Sequence, residues 1–123
     1  MKQSALPPEF QQLLPLTPAV FYVLFSLADG EKHGYAIMQE SKSLSSGKFH
    51  MGPGTLYATL QRLLELSLIL EVDGPAAETD RDSRRRYYRL KGHGKLLLEA
   101  ELARMDTAVR LAQRKKLTTR TAE

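Results

Sequence analysis

The chain has 123 residues, a net charge of +4, and is 42% hydrophobic, 26% charged and 7% aromatic. That is room for one globular domain and short for two, and a mild basic excess suits a polyanionic partner without identifying one. It contains no cysteine, which excludes disulfide staples, thiolate zinc sites and cysteine nucleophiles.

The most apolar stretch, Ala19 to Ala28, includes Ser26 and is about one core helix long. A bilayer span needs about 20 apolar residues, so no membrane partner is expected. The first eight residues, Met1 to Pro8, lack the apolar run of a secretion signal. These features predict a soluble cytoplasmic protein.

Residues 1–16 read as an N-terminal arm. Pro7-Pro8 can open a short helix carrying Phe10, Leu13 and Leu14, which Pro15 ends. A stronger helix opens at Thr17, a good N-cap, with Pro18 at the first helical position, where its missing N–H does no harm. Val20, Phe21, Val23, Leu24 and Leu27 make nearly its whole cylinder apolar, as expected of a helix central to the core. Asp29-Gly30 ends it, with Gly30 suited to the left-handed C-terminal position. A second helix is predicted from about His33 to Lys42, with Ile37 and Met38 facing inward together with Tyr35 or Ala36. Ser43 to Gly47 reads as a loop and Lys48 to Met51 as extended.

Gly52-Pro53-Gly54 opens a third helix, to about Leu66. At about 100° per residue, Leu56, Leu60, Leu63 and Leu64 gather on one side as a docking stripe. Gly54, Thr55, Ala58, Gln61, Arg62 and Glu65 lie on the other side, with Tyr57 at the boundary. Small and hydrogen-bonding residues near the N-terminal end suit a helix inserted end-first into a major groove. Gln61 can pair with adenine edges and Arg62 with guanine or a phosphate. The Tyr57 hydroxyl can reach a phosphate oxygen, and the N–H groups of Gly54 and Thr55 offer an anion-binding helix end. Taken alone, the same pattern also describes a surface helix with a polar face.

Two strands follow, at about 68–72 and 85–90, around a long loop holding Asp73, Glu78, Asp80 and Asp82. Alternation puts Tyr88 and Leu90 on one face and Tyr87 and Arg89 on the other. Six basic residues fall between Arg81 and Lys91 against one acid, Asp82. Arg84, Arg85 and Arg86 sit at the tip end, where a wing meets the sugar-phosphate backbone. An edge strand blunted by charge explains one or two arginines more readily than three in a row. The acidity of the loop argues against deep groove insertion by its extreme tip.

The last helix runs from about Gly92 to Lys115. Leu98, Leu102, Met105, Val109 and Ala112 recur at spacings of 4, 3, 4 and 3, a heptad-like seam widened by Leu97, Ala108 and Leu111. Such a helix is about 35 Å long, more than its own domain can cover, so the surplus apolar surface is expected to pair with a second copy. A two-fold dimer also presents two recognition helices to two half-sites. The predicted fold is mainly α with a small β-hairpin wing: a winged helix-turn-helix over 17–90, a dimerisation helix over 91–115 and a flexible tail over 116–123.

These segments together resemble the PadR family of bacterial winged-helix transcriptional regulators. The resemblance covers about residues 17–112. It rests on His33-Gly34-Tyr35, Gly54-Thr55-Leu56-Tyr57, Arg62-Leu63 with Leu68-Ile69, Arg86-Tyr87-Tyr88-Arg89-Leu90 and Gly94. Each motif alone is loose; their order and spacing together are specific. The single C-terminal helix is similar to the short branch of the family, in which that helix mediates dimerisation. The resemblance implies a homodimeric repressor of an inverted-repeat operator, often released by a small aromatic effector. It carries DNA contacts to Thr55, Tyr57 and Arg62, and more loosely to Arg84, Arg85 and Arg86. His33-Gly34-Tyr35 would set a helix N-terminus near a phosphate or pack, with packing favoured for Tyr35. Two departures stand out: Ser67 replaces the usual glycine after the recognition helix, and Lys91 replaces the threonine that usually caps the last helix. There is no tryptophan, so the tryptophan-lined drug pocket of some multidrug-sensing members is not expected.

The competing reading is a winged-helix module whose third helix and wing bind a protein. An enzyme ranks below both. His33, His50 and His93 are scattered without metal-ligand spacing, and neither a Ser/His/Asp constellation nor a Walker-type loop is present. No cofactor and no metal are expected, and each histidine reads as a surface or packing residue.

Overall fold

The computed structural model describes residues 5–74 and 86–117. In chain order the elements are α1 (Pro8–Gln11), α2 (Pro18–Ser26), β1 (Lys32–His33), α3 (Gly34–Leu44), α4 (Pro53–Glu65), β2 (Ile69–Asp73), β3 (Arg86–Leu90) and α5 (Gly92–Arg114). The predicted class is right: a mostly helical winged-helix fold with a small antiparallel sheet. The sheet has three strands, in the order β1-β3-β2, where a two-stranded hairpin was expected. Lys32 pairs with Tyr88 and His33 with Tyr87, while β2 runs against β3 from Ile69↔Leu90 to Asp73↔Arg86. β1 has only two residues and no alternation to read, so its pairing across 55 residues of sequence is invisible locally.

α2 is central, as its near-uniform apolarity demands. Thr17 caps it, accepting from the Val20 N–H at 3.3 Å, and Val23 and Leu24 are fully buried. The helix ends at Ser26 rather than at Asp29. Gly30 has φ +146°, so it supplies a positive φ in the following turn and is not the left-handed cap expected of it. Ser26 and Ser41 meet between α2 and α3 at 3.3 Å, and each hydroxyl donates to its own helix, to the Tyr22 and Ile37 carbonyls. The only other charged or polar side chains in this core among the described residues are Ser45, Thr59 and Glu101.

Three helices end in the same way. After α3, α4 and α5 the residues Ser46, Ser67 and Lys116 take left-handed φ values of 55°, 59° and 62°. After α4 the Ser67 N–H donates to Leu64 O and the Leu68 N–H to Leu63 O, the paired bonds that close a Schellman motif. A side chain in this conformation costs about 1 kcal/mol relative to glycine. Ser67 therefore keeps the stop signal that the usual glycine provides, at some expense of stability.

α5 starts hard against this corner. The Lys91 N–H donates to Leu68 O at 3.0 Å, and a Cβ on Gly94 would overlap that same carbonyl oxygen. Lys91 makes no side-chain cap to α5, in line with the departure noted above. The first half of α5 packs on α2, burying Leu97, Leu98 and Glu101. Beyond it Met105, Val109 and Leu111 are exposed. No helix among the described residues is long and apolar enough to cross a membrane.

Candidate nucleic-acid interface

α4 shows the two faces its sequence dictates. Leu56, Leu60 and Leu63 are buried to 1% exposure or less, each contributing about 1.5–3 kcal/mol to docking. Leu64 is half-buried at the edge. Gly54, Thr55, Tyr57, Ala58, Gln61 and Arg62 are all exposed and form one strip along the helix. Thr59, which sequence reasoning passed over, turns inward, and its hydroxyl donates to Thr55 O at 2.7 Å. Gly52 provides no side-chain cap, so the first turn of α4 has no side chain of its own across its N–H groups.

Along that strip Gln61 donates to the Glu65 carboxylate at 3.2 Å. This holds its amide near the helix and can be exchanged for a base edge. Arg62 has no acidic partner among the described residues. Tyr57 is 52% exposed, with its hydroxyl over the start of α3. A Cβ on Gly34 would lie 2.6 Å from that oxygen, so the glycine is what lets the phenol settle there. His33 caps α3, its Nδ1 accepting from the Ala36 N–H at 3.2 Å, and its ring stands edge-on to Tyr87 at 5.3 Å.

Tyr35 corrects an expectation. It does not pack; it is 62% exposed, and its hydroxyl accepts from Gln39 Nε2 at 2.6 Å. Two exposed phenols, Tyr35 and Tyr57, therefore stand close to the N-terminus of α3. The helical period held the signal: Tyr35 lies about 200° around the helix from Ile37, which is fully buried.

Of the three wing arginines, Arg86 is described, and Arg84 and Arg85 lie outside the described residues, as does the acidic loop beyond Gly74. Arg86 is exposed and approaches the Glu71 carboxylate at 3.6 Å, while Arg89 pairs with Glu31 at 3.1 Å. Both are solvent-exposed pairs of small worth, about 0–1 kcal/mol, so Arg86 can turn to a phosphate at little cost. Tyr88 is buried beneath them. Burial pushes its phenol pKa up, with the Glu71 charge adding to the effect, and it serves as core rather than contact.

One residue of the expected dimer seam is taken up inside its own chain. Leu98 is 4% exposed within its own chain, because the first half of α5 is needed to cover α2. Of the other expected seam residues, Met105 and Val109 are exposed, and Leu102 and Ala112 are half-buried in the chain. Sequence reasoning missed Glu101, which is 2% exposed. Its carboxylate accepts from Arg104 at 2.8 and 3.2 Å and from the Leu16 backbone N–H at 3.2 Å. It follows Leu97 by four residues and Leu98 by three, the spacing of a core-facing position. Among the described residues no group of three or more His, Asp or Glu side chains could hold a metal.

Residues 23–100 match the sequence model of the transcriptional regulator PadR-like family. An uncharacterized protein of Lysinibacillus sphaericus is 30% identical over 76 residues, spanning 62% of this chain and 67% of that protein. Among solved structures, a PadR family transcription regulator from Clostridium difficile superposes with a TM-score of 0.66 at 22% identity, over 80% of this chain and 97% of that one. Bacillus subtilis PadR, in complex with operator DNA, gives a TM-score of 0.57 at 22% identity, over 68% of this chain and 45% of that one. The chain belongs to the PadR-like family of transcriptional regulators, whose members are regulators rather than enzymes.

Proposed function

We propose that this chain is a cytoplasmic, homodimeric repressor that reads an inverted-repeat operator in duplex DNA and is released by a small-molecule effector. The observation that carries the reading is the continuous exposed strip of α4 opposite its buried leucines. A helix 13 residues long with small residues at its exposed N-terminal end fits a major groove end-first. Gln61 and Arg62 are assigned to base edges. Thr55, Tyr57 and the helix end, with Tyr35 beside them, are assigned to phosphates, which set register rather than sequence. Arg84, Arg85 and Arg86 are assigned to the flanking backbone as the wing, and Ala58 to close approach. The structural neighbour Bacillus subtilis PadR is in complex with operator DNA, which supports duplex DNA as the partner.

Dimerisation is supported by α5, which continues for 13 residues past Glu101 with Met105, Val109 and Leu111 uncovered. A two-fold pairing there would present two copies of α4, as an inverted repeat requires.

Duplex titration at rising salt tests the reading. Affinity for generic duplex should fall steeply with salt. Arg62→Ala should lose about 1–3 kcal/mol on a preferred site, and Tyr57→Phe should lose less, with both variants still folded and dimeric. A protein-binding module would show no duplex affinity at low salt and no difference between the variants.

A further inference from the structure

The basic excess of the chain is not spread evenly. Residues 110–123 hold Arg110, Arg114, Lys115, Lys116 and Arg120 against one acid, Glu123. They account for the whole net charge of +4, and residues 1–109 are neutral in sum. α5 carries this charge away from the fold. Its last buried side chain is Glu101, and the 13 helical residues that follow rise about 20 Å along the axis. At the end Arg114, Lys115 and Lys116 are all exposed. Arg110 pairs with Asp106 at 2.9 Å, but among the described residues Arg114, Lys115 and Lys116 have no ion-pair partner. The helix dipole favours cations at the C-terminal end, which accounts for Arg114 and Lys115. It does not account for Lys116, which stands past the helix with φ 62°, where glycine is the usual residue, nor for Arg120 further on.

We propose that the tip of α5 is a second duplex-binding surface, one that holds phosphates without regard to sequence while α4 reads the bases. This rests on the DNA-binding reading above and deepens it. Generic duplex binding is almost wholly electrostatic. Around α4 and the strands the polar side chains stand among acids: Arg86 faces Glu71, Arg89 pairs with Glu31, and Glu65 holds Gln61. The tip has three consecutive cations with no acid within six residues on either side. Lysine is a compact point charge on a flexible stem, suited to phosphates in any register and unsuited to base edges. The tip carries no aromatic residue, and its exposed apolar side chains are Leu111 and Leu117, which favours a nucleic-acid backbone over a membrane surface. It also lies beyond Ala112, the last of the expected seam residues, so the proposed dimer leaves it free and displays it twice.

The test titrates the full chain with a duplex enriched from a random pool and with a scrambled duplex, each at several salt concentrations. Lys115→Gln with Lys116→Gln leaves Arg114 to the helix end and removes two cations from the tip. The slope of log affinity against log salt should fall by about 2 per bound chain. It should fall on both duplexes alike, leaving the preference between them unchanged. Lys91→Gln with Lys95→Gln removes the same charge from the other end of α5 and should leave the slope as it was. An unchanged slope in the first variant overturns the proposal, as does an equal loss in the second, which would reduce the effect to net charge alone. Loss of binding to phosphatidylglycerol vesicles in place of duplex would overturn it too, by giving the tip to a membrane. Arg62→Ala separates the two readings. If Arg62→Ala loses the preference and the tip variant keeps the full slope, the tip falls and the DNA reading stands. If the wild-type chain binds neither duplex, the DNA reading falls and takes the tip with it.

Discussion

The Tyr57 hydroxyl rests over Gly34, so close that a Cβ there would lie 2.6 Å from it. Two helices of the winged-helix motif are thus coupled through one glycine, and the phenol at that junction belongs to the strip assigned to DNA. The closest obstruction is the free end of an exposed side chain, which can move; the other is Cδ2 of the buried Leu56 at 3.1 Å, which must give by a few tenths of an ångström. Gly34→Ala is therefore expected to cost little stability, because only side-chain atoms must shift, while displacing Tyr57 and weakening duplex binding. Gly94 is the contrast, because its Cβ would meet the backbone carbonyl of Leu68, which cannot move. Gly94→Ala should cost about 2–3 kcal/mol in chemical denaturation. Equal stability losses for the two variants would contradict this account of the junctions.

How much of this was legible depends on the range of the interaction. Thr17-Pro18, the leucine spacing of α4 and the length of α5 are local signals, and each produced the expected element. β1 is two residues long and exists only because β3 lies beside it, so nothing within Lys32-His33 announces it. Leu98 fits a heptad as well as a core stripe, and only the packing of α5 on α2 decides between them. Ser67 departs from the usual glycine, yet its hydrogen bonds complete the motif, because the backbone bears the strain that glycine would avoid. Tyr35 and Glu101 follow from the helical period: one stands opposite buried Ile37 and the other shares the face of Leu97 and Leu98.

Under the proposed dimer, the burial of Leu98 divides the substitutions in α5 into two kinds. Met105→Asp and Leu102→Asp should yield folded monomers, since these side chains are at most half-buried in one chain. Leu98→Asp should instead unfold the protein, because it places a charge in the core. Sedimentation separates the two results, and an intact dimer for Met105→Asp would remove α5 from the interface.

Glu101 gives the fold a pH dependence. Its carboxyl is held below the usual carboxylate range, first by the Arg104 hydrogen bonds, then by the Leu16 N–H and the Arg104 charge, against the opposing effect of burial. The folded chain therefore binds this proton less readily than the unfolded chain. Its contribution is fully present above the unfolded pKa of about 4.3 and is lost as pH falls through the lower folded value. Glu101→Gln should lower stability at neutral pH and flatten the acid limb of the urea midpoint against pH. An unchanged acid limb would show that the arm is not held by this charge.

In the proposed function, two copies of α4 read two copies of one half-site. Selection of bound duplexes from a random pool tests it most directly. An enriched inverted repeat is expected whose half-site centres lie about one helical turn apart, or a multiple of it, and whose enrichment is lost in Arg62→Ala. A pool that stays random, or a single unrepeated site bound by a monomer, would contradict it.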